Sequence, residues 1–258
     1  MAKMKREFNT PIGELAYCYV MGGGKLKMQG DENDPTHFEY SANIVLDTSE
    51  RERERLLADK SPEEVDKIFA EREANYETIV TEVKKFWDKW QPNLQGAKKS
   101  PKWTPIKQVK DKETDEPIER AFTFNAKTKA NWRDAKSGAI RPQIVPILDP
   151  YRADIRSKML EKNIYIGAGS RGIILCSLTI TNQEVTKGNF AYGVTAYLDA
   201  IQLAKLVPYK AGELDKSRAA DLSGVAEDIN LDSIDIDSAE GTAEGAMIPE
   251  APAEEPEV

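Results

Sequence analysis

Histidine and cysteine, two residue types that enzymes often use for catalysis, are rare in this sequence. His37 is the only histidine, and no cysteine or serine motif surrounds it to build a catalytic triad. The run GAGSRG at residues 167–172 has the glycines of a phosphate-binding loop without its Gly-Lys-Ser/Thr ending, so it predicts a turn between strands. A calcium-type loop starting at Asp228 lacks the required glycine and the final glutamate. These patterns predict a protein that performs no bond chemistry and holds no cofactor or metal.

The other residues with suitable chemistry are aromatic side chains interleaved with lysines and arginines. Bases stack on aromatic faces at about 1–3 kcal/mol each, largely independent of sequence, while Lys and Arg follow the phosphates. The interleaving therefore favours a single-stranded nucleic acid as ligand. Tyr40, Phe122 and Phe124 are assigned to the core instead, because their periodic spacing already explains them. The candidate contacts are Tyr17, Tyr19, Lys25, Lys27, Trp103, Lys107, Lys127, Lys129, Trp132, Arg133, Tyr151 and Arg152.

Charge is distributed unevenly along the 258 residues, and the formal net charge of −8 conceals this. Residues 219–258 contain twelve acidic residues and no Lys or Arg, whereas the rest has 36 basic and 32 acidic residues, a net charge of +4. The acidic segment has no aromatic residue, so it cannot bury enough apolar surface to offset its chain entropy. We expect one folded nucleic-acid-binding domain over residues 1–210 and a disordered acidic tail over 211–258.

The sequence shows no sign of export or membrane insertion. No stretch approaches the ~20 apolar residues of a membrane helix, and the N-terminus lacks the apolar run of a signal peptide. Cys18 and Cys176 are too few for a disulfide framework and are predicted to be core residues. We expect a protein of the cytoplasm without a membrane partner.

One long helix is predicted between two groups of strands. Ser61 and Glu64 form a capping box with Pro62 at the first helical position, and apolar residues three and four apart continue the pattern, so a helix is expected over about 62–91. Alternating segments before it predict strands over 15–21 and 37–47.

The strands after the helix carry most of the β-branched residues. Segments 103–110 and 121–131 are typical of a hairpin, and further strands are predicted over 142–149, 171–181 and 190–206. Several strands with one long helix favour an α+β fold that is mainly β.

Four parts of the sequence resemble the single-stranded-DNA-binding proteins of podovirus-type bacteriophages. Together they cover about a third of the chain, and their specificity comes from the combination and from its order relative to the helix and the tail. The matching segments are AYCYV at 16–20, FEYSANIVLD at 38–47, AFTFNAKTKAN at 121–131, and the C-terminal pair IYIGAGSRGIILCSLTIT at 164–181 and YGVTAYLDAIQLAKLV at 192–207.

This resemblance implies an OB-fold barrel with one long inserted helix and a disordered acidic tail. It implies coating of single-stranded DNA in phage replication or recombination, with the tail contacting replication proteins such as a polymerase or helicase-primase. It also implies that Lys127 and Lys129 belong to the DNA-binding groove and that Arg171 has a similar placement. The family's tail ends in an aromatic residue, which this chain lacks. The apolar residues available as anchors are Ile229, Leu231, Ile234, Ile236 and Val258.

Two other function classes stay open on the sequence. An assembly protein would use the aromatic residues in a protein interface and would be indifferent to DNA. A nuclease that binds metal through carboxylates alone would shorten DNA in the presence of magnesium. Annealing of complementary strands is a variant of the leading hypothesis. Preference for DNA over RNA, duplex binding, and a monomeric or homodimeric state are not decided by the sequence.

Overall fold

The computed structural model describes residues 4–27, 30–94, 100–186 and 189–210. The predicted acidic tail over 211–258 lies outside these residues, so its expected disorder stays a prediction. The helices are α1 Glu50–Leu57, α2 Pro62–Trp90 and α3 Arg156–Glu161. The strands are β1 Lys5–Asn9, β2 Gly13–Tyr19, β3 Lys25–Leu26, β4 Phe38–Val45, β5 Ile106–Lys110, β6 Pro117–Lys129, β7 Asn131–Arg133, β8 Ile140–Pro142, β9 Ile147–Leu148, β10 Ile164–Ile166, β11 Arg171–Thr186, β12 Asn189–Lys205 and β13 Pro208–Lys210.

Five of these strands close into a barrel in the order β2-β4-β6-β12-β11. β2, β4 and β6 pair antiparallel with one another, while β12 runs parallel to β6 and antiparallel to β11. Pairing of β11 with β2, where Arg171 lies opposite Glu14, completes the closure. A five-stranded Greek-key barrel whose third and fifth strands are parallel has the connectivity of an OB-fold. The predicted mainly β fold with an OB barrel is therefore confirmed.

Side-chain alternation along the strands produces the barrel interior. Tyr40, Ala42 and Ile44 of β4 are buried, as their spacing predicts, and the residues between them point outward. Cys176 of β11 is buried as well, while Cys18 is partly buried. Burial raises the pKa of the Cys18 thiol to about 12, so the thiol is protonated at neutral pH.

The long helix α2 begins at the capping box that the sequence predicts. The Ser61 hydroxyl accepts a hydrogen bond from the Glu64 backbone N–H, and the Glu64 carboxylate accepts one from the Ser61 N–H. Ile79, Val83 and Phe86 bury the inner side of the helix in the core that it shares with the barrel. Within the described residues, no helix is long and apolar enough to cross a bilayer.

Two polar residues of α2 are also buried, and the apolar periodicity does not predict them. The Asn75 amide donates a hydrogen bond to the Ile12 carbonyl at 2.9 Å. Arg72 is 3% exposed, and its guanidinium donates to the carboxylates of Glu14 and Glu52 at 2.7 and 2.9 Å. These contacts attach the helix to β2 and to α1, an attachment that requires specific partners rather than apolar area alone.

Several short elements differ from the sequence-based expectation. The strand predicted over 142–149 is mostly wrong, because Pro142 and Pro146 lack the N–H that a strand ladder needs. Pro142 only ends β8, and Ile147–Leu148 forms the short strand β9. Helix α3 forms in the basic segment that follows. β1, which was not predicted, pairs with β11 with Lys5 opposite Thr179. The turn predicted at 167–172 does lead into β11.

Candidate nucleic-acid interface

A row of side chains crosses the outer surface of the barrel from β2 to β12. Strand register places Tyr19 opposite Ser41, Ser41 opposite Lys127, and Lys127 opposite Tyr197. Neighbouring strands lie about 4.8 Å apart, so the row spans about 14 Å. Tyr19 and Tyr197 are 43% and 41% exposed. Two accessible rings therefore lie on either side of a lysine, on a surface that alternation turns away from the core.

A second row lies beside the first and carries most of the charge. Lys25 pairs with Glu39, and Glu39 pairs with Lys129. The Lys127 Nζ atom is 3.3 Å from the Glu39 carboxylate, and the Lys25 Nζ atom lies 5.3 Å from the centre of the Tyr19 ring. The single carboxylate of Glu39 thus lies beside three exposed lysines, Lys25, Lys127 and Lys129, so the surface keeps a positive net charge.

Members of both rows, Lys127 and Tyr197 of the first and Glu39 and Lys129 of the second, line a groove of about 660 Å³. Its charged residues are three lysines and one glutamate, and its rings are a tryptophan and a tyrosine. Hydroxyl and amide side chains, which can donate and accept hydrogen bonds, supply most of the remaining surface. The lining residues are Lys27, Glu39, Trp103, Lys127, Thr128, Lys129, Thr181, Asn182, Gln183, Thr195 and Tyr197.

The Trp103 ring is held at one side of the groove by its packing and by its indole N–H. The N–H donates to the Thr181 hydroxyl at 3.0 Å, and that hydroxyl lies 2.9 Å from the Thr195 hydroxyl. The ring packs so closely on Gly193 that a Cβ atom there would lie 2.4 Å from three ring atoms. The position of the ring is therefore set before any ligand arrives.

Six of the predicted contact residues are brought together at the groove or its edge: Tyr19, Lys25, Lys27, Trp103, Lys127 and Lys129. Tyr17 lies next to them in β2, at the β-bulge between Ala16 and Tyr19. Its side chain is 67% exposed, and its backbone φ of 49° interrupts the regular alternation of the strand.

Trp132 and Arg133 lie on a separate hairpin formed by β7 and β8. Trp132 is 42% exposed, and the Arg141 guanidinium lies 5.9 Å from its ring centre. The hairpin follows directly on β6, so it adjoins the end of the groove where Lys129 lies.

The remaining four predicted contacts do not line the groove. Tyr151 and Arg152 occupy an exposed turn whose carbonyls accept hydrogen bonds from Gln202, several residues beyond Tyr197 along β12. Lys107 lies on β5. Arg171 donates two hydrogen bonds to the Glu71 carboxylate on α2, at 2.5 and 2.6 Å, so its charge is matched within the fold.

Sequence reasoning missed Tyr197 and the polar residues of β11 and β12 that line the groove. The dense β-branched content of this region predicts strands over 171–181 and 190–206 but does not single out contact residues in them. The alternation of residue types along β12 could have identified the outward-facing residues. Thr195, Tyr197 and Asp199 alternate there with the buried Val194, Ala196 and Leu198.

His37 takes part in a hydrogen bond within its own loop. Its Nδ1 atom accepts a hydrogen bond from the Asp31 N–H at 2.8 Å in the loop that leads to β4. Across the part of the chain that the structure describes, no group of three or more His, Cys, Asp and Glu side chains is placed to hold a metal ion.

No sequence profile of a known protein family matches this chain, and no curated protein matches it in sequence. The solved structures to which it is similar include gp2.5, a single-stranded DNA binding protein encoded by bacteriophage T7, with 17% identity and a TM-score of 0.41 over 87% of this chain and 100% of that one. The single-stranded DNA-binding protein from bacteriophage Enc34 has 16% identity and a TM-score of 0.36 over 82% and 88%. A C-terminal truncation of the Enc34 protein has 14% identity and a TM-score of 0.37 over 79% and 88%.

Proposed function

We propose that this protein binds single-stranded DNA in the groove across β4, β6 and β12, without sequence preference and without catalysis. The observation that carries the proposal is the row in which Lys127 lies between the exposed rings of Tyr19 and Tyr197. A single strand presents bases and phosphates in alternation, and rings with an intervening cation are complementary to that pattern. The sequence resemblance to the phage proteins points to the same ligand.

The rings of Trp103 and Tyr197 in the groove support binding that is independent of sequence. Stacking requires only the face of a base, which all four bases have, whereas readout of sequence requires donors and acceptors fixed against base edges. Trp103 is fixed in advance by Gly193 and Thr181, so stacking there needs little reordering of the protein.

The biological setting is part of the same proposal. We place the protein in phage DNA replication or recombination, in the cytoplasm of the host cell, where it would coat single strands. The acidic segment 219–258 would weaken DNA binding by competing electrostatically for the groove, and would contact replication proteins when DNA displaces it. These roles rest on the charge distribution and on the sequence resemblance.

The test is a titration of intrinsic tryptophan fluorescence with a dT oligonucleotide of about 30 nucleotides across a salt series. For single strands log K falls with log salt at about −0.7 per phosphate neutralised, so Lys127→Ala with Lys129→Ala should make the slope shallower by about 1.4. The matched control is Lys67→Ala with Lys84→Ala, which removes the same charge from the exposed surface of α2.

Binding that weakens with salt, and a slope that changes only in the groove variant, would support the proposal. Equal effects of the two double variants would show that net charge rather than the groove governs binding. Absence of binding and quenching at every salt concentration would favour the assembly-protein hypothesis instead.

A further inference from the structure

The hairpin of β7 and β8 presents an aromatic and basic surface that core packing does not explain. Trp132 is 42% exposed, and the Arg141 guanidinium lies 5.9 Å from its ring centre. Residues 131–142 contain Arg133, Lys136 and Arg141 against the single acid Asp134. Arg141 lies 3.6 Å from the Asp134 carboxylate and Arg133 lies 4.0 Å from that of Asp34, but both arginine side chains stay more than half exposed. Indole rings and guanidinium groups are both planar surfaces on which nucleic-acid bases stack. An exposed tryptophan beside an arginine is therefore chemically suited to a base and its phosphate.

Local hydrogen bonds hold this hairpin in one shape. The Asp134 carboxylate accepts the backbone N–H groups of Lys136 and Ser137, both at 2.9 Å, which closes the turn. Gly138 adopts a φ of 70°, a conformation that glycine reaches without strain. The strands pair with Trp132 opposite Arg141. The Trp132 ring and the Arg141 guanidinium therefore lie side by side on a hairpin whose turn is fixed by hydrogen bonds.

Contacts connect the hairpin with the groove through the loop before β4. The Asn131 amide donates to the Pro35 carbonyl at 2.9 Å, and the Lys27 Nζ atom donates to the neighbouring Thr36 carbonyl at 3.4 Å. Lys27 lines the groove. Along the chain, Lys129 precedes Trp132 by three residues, which is about 10 Å at the rise of an extended strand. Two lysines of the groove therefore lie next to the hairpin.

We infer that the β7–β8 hairpin is a second stacking platform for the same DNA strand, separate from the groove. A strand that fills the groove passes Lys27 and Lys129 and stacks its next bases on Trp132 and Arg141, with Arg133 near the phosphates. Short oligonucleotides that fill only the groove do not reach this platform. The inference rests on the proposed function, since it extends the path of the DNA that the groove would bind.

The experiment compares affinity across a length series of dT oligonucleotides, from about 4 to about 20 nucleotides, which brackets the roughly 4–16 nucleotides that an OB fold occupies. The full-length protein, Trp132→Ala and Trp132→Tyr are titrated by fluorescence anisotropy of labelled DNA. The matched control is Tyr209→Ala, which removes another ring that is about half exposed, on β13. Circular dichroism checks that each variant is folded.

For Trp132→Ala we expect unchanged affinity for the shortest oligonucleotides that bind and about tenfold weaker affinity for the longest, as loss of one stacked base implies. Trp132→Tyr should restore most of the loss. Unchanged affinity of Trp132→Ala at every length would overturn the inference, and so would an equal loss at the shortest length, since the platform would then not be separate. If the unmodified protein binds no oligonucleotide of any length, the proposed function itself fails.

Discussion

The placement of the Trp103 ring shows how much of the groove depends on single residues. Its indole N–H is satisfied by Thr181, and its ring lies against Gly193, where any larger residue would meet it. Trp103 is thus one of the predicted contacts whose position has a clear structural cause. A glycine in the middle of a long strand is intrinsically unfavourable, so close approach of the ring supplies a reason for it.

We predict that Gly193→Ala weakens binding of single-stranded DNA about tenfold and reduces tryptophan quenching. The new Cβ atom would lie 2.4 Å from ring atoms of Trp103, so the ring must move out of its place in the groove. Stacking on a ring contributes about 1–3 kcal/mol per base, which corresponds to a loss of this size. The measurement is a fluorescence titration with dT oligonucleotide, alongside a thermal unfolding curve.

The control is Gly23→Ala, because no atom lies within 4 Å of the Cβ position at that glycine. It should bind as the unmodified protein does. If Gly193→Ala binds equally well while remaining folded, Trp103 is not a stacking surface.

Helix α2 is attached to the rest of the fold by an ionic network as well as by its apolar side. Arg72 is buried and donates to Glu14, to Glu52 and to the Asp47 carbonyl. Burial raises the pKa of Glu52, but hydrogen bonds from Arg55 and Arg72 and their charges outweigh it, so the pKa lies below its ordinary value of 4.5. The carboxylate therefore stabilises the fold only while it is ionised.

We predict that Glu52→Gln lowers the free energy of unfolding by about 2 kcal/mol at pH 7, the magnitude typical of hydrogen bonds to charged groups. Because the folded pKa is depressed, the stabilisation is full above the unfolded value near 4.5 and is lost as the pH falls through the lower folded value. The difference between the two proteins should therefore shrink below pH 4.5. Urea unfolding at a series of pH values measures it.

Glu54→Gln is the matched comparison, since Glu54 lies exposed on the same helix α1. Its stability should follow that of the unmodified protein at every pH. A deficit for Glu52→Gln that stayed constant down to pH 3 would contradict ionisation as the source of the stabilisation.

Charge is separated along the 258 residues between residues 1–218, with a positive balance, and residues 219–258, which contain twelve acidic residues. A tethered polyanion has a high effective concentration near any basic groove that it can reach. It also resembles the phosphate backbone electrostatically. The charge distribution therefore predicts competition between the acidic segment and DNA.

We expect a chain that ends at Arg218 to bind a dT oligonucleotide several-fold more tightly than the full chain at low salt, because the competing anion is gone. Salt screens interactions between exposed charges, so the two proteins should converge as the salt concentration rises. Titrations of both proteins at two salt concentrations provide the comparison. Equal or weaker binding of the shorter chain at low salt would rule out competition by the tail.

Local sequence signals were sufficient for the elements whose causes are local. The capping box at Ser61 and the 3.6-residue spacing predicted α2 within one residue of its observed Pro62–Trp90 bounds. The alternation around Tyr40 and Ile44 predicted the buried side of β4. Both signals depend on residues within a few positions of one another, so no knowledge of distant contacts was needed.

The groove itself depends on strand register and barrel closure. Lys107, Tyr151 and Arg171 are predicted contacts as Lys127 is, yet pairing and ion-pair contacts place them elsewhere. Tyr197 enters the row through its parallel pairing with Lys127. Register is set by which face each strand buries against partners far away in sequence, and a shift of one residue would turn every side chain to the other face. Composition and spacing along the chain therefore predicted the main elements and the candidate contact residues, whereas the long-range packing of the barrel selected the residues that meet at the groove.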